Sequence, residues 1–298
     1  MTFASFASVG PLLPHDLFAA SGRYAGSLCW TLGRPMPFAA QWMENRFAPW
    51  AASILEDWAA GAFDAHEAVV FARADDNAQR LYYYVCELRR RGVIAGGPEP
   101  LVFDSAQGPR ASSLARTTQA VRGLAERLGV DDAALEAGIV ATNSARPMLA
   151  AQPATSPTCL LIGTPPPDRA LHDAIERQGW HADGAALADT WRDPGAAVDE
   201  STGDPGGAIA RQIHTSVIGN RAFADRAAAL RARLTATGAK AAVLWYSEDE
   251  EAEVWHLPDL RRVLDAAGVP ALALTRRLWG PDPDAADRIG TFLKEIGT

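Results

Sequence analysis

Two pairs of carboxylates follow apolar runs in this chain. Asp75 and Asp76 come after AVVFA, and Glu248 and Asp249 come after AAVLWYS. In folds of alternating strands and helices, ligands sit at the carboxyl ends of the strands. Neighbouring carboxylates raise each other's pKa when buried, which suits one of them to general-acid work. Asp75, Asp76 and Glu248 are therefore the candidate catalytic residues. The bland alternative is equally physical: each acid caps, or complements the dipole of, the helix that follows its strand. Other signatures are missing. No GxGxxG follows a strand, and the IGTPPPD stretch after CLLIG offers prolines that cannot donate N–H groups to a phosphate. There is no P-loop and no GxSxG elbow. His15, His172, His181, His214 and His256 show no zinc spacing, so no metal is expected.

The elements that must position these acids occur twice. Near residue 68 the chain reads AVVFARADDNAQRLYYYVCELRRRGVIAGGPEPLVFD, and near residue 241 AAVLWYSEDEEAEVWHLPDLRRVLDAAGVPALALT. Each copy is an apolar strand, an acidic loop, a helix with an Arg pair, a Gly, a Pro and a second strand. Around them, residues 13–23 predict a short helix closed by Gly22. Residues 38–60 carry Phe38, Trp42, Phe47, Trp50, Ile54, Leu55 and Trp58 at helical spacing. Helices are expected over 77–91, over 112–128 with a Ser cap, and from Asp131 or Asp132 to Pro147.

Residues 150–158 (AAQPATSPT) read as a linker, which places a domain boundary there. Beyond it come a CLLIG strand, the helix ALHDAIERQG and a WHADGAAL strand. A loop over 193–207, helices over 208–218 and 222–237, the second acidic unit and a last helix over 284–296 follow. The expectation is α/β: two Rossmann-like (flavodoxin-like) parallel-sheet domains with a cleft between them, and an α-helical N-terminal segment. The domains span 1–150 and 151–298.

The chain has 298 residues and a formal net charge of −8, which makes duplex nucleic acid and anionic membrane poor partners. No stretch reaches the roughly 20 apolar residues needed to span a bilayer. The N-terminus has no basic region ahead of an apolar one, and the three cysteines are scattered, which fits a reducing cytoplasm.

An ordered series of motifs resembles the 2-hydroxyacyl-CoA dehydratase / benzoyl-CoA reductase family, D-component type. It comprises Pro14, Leu17, Ala19, Ala20 and Gly22; Asp76, Arg80, Leu81 and Tyr82; Asn143 and Arg146; and Trp255, Pro258, Gly268, Val269, Pro270, Arg288 and Phe292. The resemblance implies a [4Fe–4S] cluster held by cysteines in cleft loops and one-electron chemistry on an acyl-CoA thioester. The residues departing from that pattern are the cluster ligands. Gly10, Ala48, Asp75-Asp76 and Tyr246-Ser247 stand at those places, while Cys29, Cys86 and Cys159 lie elsewhere. No cofactor is therefore expected.

The resemblance also implies substrate-binding roles. Arg80 can reach toward a thioester or phosphate, or else form a structural ion pair. Asn143 can polarise a carbonyl and Arg146 can grip a phosphate bidentately, or both can serve as hinge architecture. Tyr246 and Ser247 can donate hydrogen bonds to a substrate carbonyl, or simply fill a vacated site. Three functions follow as expectations. The first is a cluster-less partner or scaffold subunit that joins a cluster-bearing homologous subunit and contributes to an acyl-CoA cleft. The second is a stand-alone acid–base enzyme. The third is an iron–sulfur dehydratase with unconventional ligands.

Overall fold

The computed structural model describes residues 3–44, 46–106, 108–149, 155–216, 225–249, 251–280 and 282–297. The chain folds as two compact units. The first holds Met1–Ala150 with Trp191–Ala224, and the second holds Ala151–Thr190 with Asp225–Thr298. Among the described residues no helix is long and apolar enough to cross a membrane.

The first unit contains β1 (Phe6–Val9), α1 (His15–Ser21), β2 (Tyr24–Ser27), α2 (Pro37–Trp42) and α3 (Pro49–Ala59). It continues with β3 (Ala68–Ala72), α4 (Asp76–Arg90), β4 (Glu99–Phe103), α5 (Ala111–Leu128) and α6 (Asp132–Leu149). Its strands pair in parallel in the order β2-β1-β3-β4. Phe6, Val70 and Phe103 pack with side chains of α1, α5 and α6 in one core. All of β3 is buried, which explains its unbroken apolar run. Gly138 lets α1 lie against α6, because a Cβ there would stand 2.4 Å from the Asp16 carbonyl oxygen.

The second unit contains β5 (Thr158–Gly163), α7 (Ala170–Glu176), β6 (His181–Asp183) and α8 (Leu187–Arg192), whose last residues pass into the first unit. α9 (Pro205–Thr215) belongs to the first unit, where Ile209 and Ile213 join its core. The second unit resumes with α10 (Arg226–Thr237), β7 (Ala241–Ser247), α11 (Glu251–Val254), α12 (Leu257–Ala266), β8 (Ala271–Arg277) and α13 (Pro283–Ile296). Its parallel order, β6-β5-β7-β8, repeats that of the first sheet. Strand alternation sends Ala241, Val243 and Trp245 of β7 into the core with α7 and α13. Ala242, Leu244 and Tyr246 enter the opposite core with α10 and α12.

Two Rossmann-like parallel-sheet units are thus present, and several local expectations need correction. The N-terminal stretch is not purely helical, since β1 and β2 supply half of the first four-stranded sheet. The Trp-rich helix is two helices, with Pro37 and Pro49 each opening one. No side chain caps α5; its N-cap is Arg110, and Ser112 and Ser113 lie inside the helix. Asp131 does cap α6, accepting from the Ala134 N–H at 2.8 Å, but the helix runs past Pro147 to Leu149. α9 starts at Pro205 behind its Asp204 cap, three residues earlier than expected. Residues 191–216 pack with the first unit although they follow the linker. Part of that linker, 150–154, and residues 217–224 lie outside the described residues.

Candidate functional site

The order of each sheet reverses between its first and third strands, so a ligand crevice would open at the carboxyl ends of β1 and β3 in one unit and of β5 and β7 in the other. Both units build this corner alike. The first strand exits through a glycine of positive φ, Gly10 at 94° and Gly163 at 108°, followed by prolines. At Gly163 a Cβ would stand 2.2 Å from the Trp245 carbonyl oxygen. The Thr164 N–H donates to that oxygen at 2.9 Å, and the Ser247 N–H donates to Thr164 Oγ1 at 3.3 Å. The glycine therefore lets the β5 exit lie directly on the end of β7.

In the first unit the expected site residues do structural tasks. Asp75 is the N-cap of α4 and accepts from the Ala78 N–H at 2.8 Å. Asp76 is exposed in the first turn, where its charge complements the helix dipole. Arg80 meets Glu44 at 3.2 Å and lies 3.9 Å from the Phe47 ring centroid, fastening α4 to the segment before α3.

Asn143 and Arg146 form a clasp. Asn143 donates to the Val198 carbonyl at 2.8 Å and accepts from the Val198 N–H at 3.0 Å. All five N–H donors of Arg146 are engaged. Nε donates to Gly195 O at 3.0 Å, one terminal nitrogen to Asp16 Oδ1 at 3.1 Å and to Asn143, and the other to Asp16 Oδ2 at 3.0 Å and to Pro194 O at 3.1 Å. No donor remains for a phosphate. The two residues hold the returning segment 193–198 on α6, which is why that segment joins the first unit.

Burial raises the Asp16 pKa against the lowering effect of Arg146. Beside it, burial lowers His15 to about 4; Asp193 and the Trp191 carbonyl oppose this, and Arg146 adds to it. Neither residue is legible in the sequence as part of this cluster. Their partners are far away in the chain, and HDLF reads only as a helix start.

In the second unit Glu248 is exposed at the end of β7, with its N–H on the Arg277 carbonyl at 2.9 Å. Asp249 accepts from Trp279 Nε1 at 2.7 Å. Tyr246 and Ser247 differ from the exposed acids and from the clasp residues. Both are fully buried, and neither hydroxyl has a hydrogen-bond partner; the indole N–H of Trp245 is likewise buried and unpaired. Burial, with the Glu253 carboxylate, pushes the Tyr246 phenol up to about 12, so it is a donor and not a base at neutral pH. Glu253 itself is held by Arg226 through two 2.7 Å bonds.

The thiols do not fit an iron–sulfur cluster, which needs several thiolates converging on one point. Cys29 is exposed, Cys86 is partly buried on α4 and Cys159 is buried at the start of β5. Burial raises the Cys86 pKa and pushes Cys159 up to about 12, against thiolate formation. Among the described residues no group of three or more His, Cys, Asp and Glu side chains could hold a metal ion.

No protein-family model matches the chain, and no curated protein matches it in sequence. Among solved structures, a mutant of the laminin-binding adhesin Lmb from Streptococcus agalactiae aligns over 98% of this chain and 99% of its own, at 9% identity and a TM-score of 0.26. A likeness of that size carries no argument about function.

Proposed function

We propose that this chain is a cluster-less relative of the 2-hydroxyacyl-CoA dehydratase / benzoyl-CoA reductase D-component, acting as a partner subunit that contributes to an acyl-CoA cleft. The observation that carries the reading is the engagement of the first unit's charged candidates in the fold. Asp75 caps a helix, Arg80 pairs with Glu44, and Asn143 and Arg146 clasp residues 193–198. A chain whose acids and bases are so occupied supplies shape and hydrogen-bond donors to a shared site and leaves electron transfer to its partner. The ordered motif series and the repeated strand order support the family likeness. The stand-alone acid–base reading gains no comparable support, because Tyr246 at about 12 is no base and Glu248 and Asp76 are exposed.

The test is co-expression with a cluster-bearing member of that family, read by size-exclusion chromatography with light scattering. The expected result is a stable complex of one chain with one cluster-bearing partner. Separate elution of the two at micromolar concentration contradicts the reading.

A further inference from the structure

We infer that the groove between α7 and α13 is a binding site for a small oxyanion, a phosphate or carboxylate group on a compact molecule, with Arg177 and Lys294 as its cations. The groove encloses about 280 Å³. Arg177 and Gln178 line one wall, and Asp287, Gly290, Thr291 and Lys294 line the other. Sites for drug-sized ligands begin at about 300 Å³, so this one suits a smaller molecule. Arg177 and Gln178 stand just before β6, which places the groove at the amino edge of a parallel sheet, away from the crevice corner. Gly290 is buried on α13, and a Cβ there would stand 3.4 Å from Gln178 Nε2, so the amide lies directly over the glycine.

The chemistry of the walls selects the ligand. Among the described residues the Arg177 guanidinium, the Lys294 ammonium and the Gln178 amide have no ion-pair or hydrogen-bond partner. Two acids close by are already taken, Glu176 by Arg169 at 3.0 Å and Asp284 by Arg277 at 2.9 Å. Asp287 is the one carboxylate that lines the groove. It precedes Lys294 by seven residues on α13, which is about 10 Å along the helix axis. Its charge therefore stands at one end of the groove and leaves the ammonium uncompensated at the other. The Thr291 hydroxyl donates to the Asp287 carbonyl at 3.0 Å, so the donors left for a ligand are Arg177, Lys294 and Gln178. An oxyanion accepts from all three, from the guanidinium as a fork and from the ammonium as a point charge. Both cations also complement the dipoles of their helix ends, Arg177 as the C-cap of α7 and Lys294 in the last turn of α13. That task does not call for an open groove with a free amide between them. The chain as a whole carries a net charge of −8, so binding here depends on the local cations and weakens with salt.

The test is a backbone-amide NMR titration of the full chain with inorganic phosphate, at an ionic strength held constant with sodium chloride. Saturable shifts centred on Arg177, Gln178, Gly290 and Lys294 are expected, with a dissociation constant of about 1 mM or tighter. Arg177→Gln and Lys294→Gln should each weaken binding about tenfold, Lys294→Arg should retain it, and Asp287→Asn should tighten it. The three positions are exposed, so the variants keep the fold, which urea unfolding verifies. Arg261→Gln, at an exposed position on α12 across the sheet from α7 and α13, should leave binding unchanged. Shifts that rise without saturating, shifts spread evenly over exposed arginines, or an affinity that survives in the Arg177→Gln, Lys294→Gln double variant would each overturn the inference. None of these outcomes depends on assembly with a cluster-bearing partner, so the site and the subunit reading are tested separately.

Discussion

Arg146 closes both ends of its guanidinium on the carboxylate of Asp16, at 3.1 and 3.0 Å, across 130 residues of sequence. The pair is buried, with side chains 9% and 1% exposed. It joins α6 to α1, the two helices that Gly138 lets pack together. The remaining donors of the same guanidinium hold Pro194 and Gly195. One side chain thus fixes both a helix pair and the return of the chain to its first unit.

Breaking this pair leaves a buried charge without a partner, which typically costs about 3–5 kcal/mol. Arg146→Ala and Asp16→Ala should each lose stability of that order in urea unfolding. Arg146→Lys should recover little of it, because an ammonium cannot make the bidentate contact. Losses below about 1 kcal/mol would contradict the clasp.

His15 makes part of the stability depend on pH. Its folded pKa is lowered to about 4 from the ordinary 6.5, chiefly by burial, with Asp193, the Trp191 carbonyl and Arg146 as its polar neighbours and Phe18 and Tyr24 packed on the ring. Between these two values the unfolded chain binds a proton that the folded chain does not. The contribution is therefore full above pH 6.5 and lost as pH falls toward about 4, up to about 3 kcal/mol in all. Asp16 has a raised folded pKa, so its own contribution has the opposite sign and weakens as pH rises through that value. It is present in both proteins, so the difference between wild type and His15→Gln reports His15. The variant should show a flatter stability curve from pH 6.5 to 4, and parallel curves would refute the assignment.

Asp75 as a cap predicts a pattern distinct from catalysis. Asp75→Ala should cost about 1 kcal/mol, and Asp75→Asn should cost much less, since Asn also caps. Circular dichroism melts of the two variants check this. Equal losses would mean that the charge matters more than the cap.

Gly163 is the tightest backbone position at the second crevice corner. Gly163→Ala combines a φ of 108° with a Cβ 2.2 Å from the Trp245 carbonyl oxygen, and should destabilise by more than about 4 kcal/mol. Gly179→Ala, with φ 79° and nothing within 4 Å, should cost only about 1–2 kcal/mol. Similar losses in both would mean that the close approach at Gly163 is not tight.

The repeated acidic units were the most legible part of the sequence. β3 and β7 are buried on both faces and read as unbroken apolar runs, and α4 and α12 carry amphipathic periodicity. β1 and β2 were not legible. FASV and YAGS are four residues each and at least half small residues, too short to show a periodic signal; pairing with β3 organises β1, and pairing with β1 organises β2. The return of residues 191–216 to the first unit could not be read either, because it depends on Asn143 and Arg146, dozens of residues away. The expected residues Tyr246 and Ser247 were visible as types, but their distinguishing feature, a buried hydroxyl without a partner, exists only once the strand is packed.

The most direct test of the account is the iron and acid-labile sulfide content of this chain, purified alone without oxygen. A colourless protein with no bound iron is predicted, since Cys29, Cys86 and Cys159 do not assemble a ligand set. A brown protein with about four irons per chain, the complement of one [4Fe–4S] cluster, would contradict it and restore electron transfer to this chain itself.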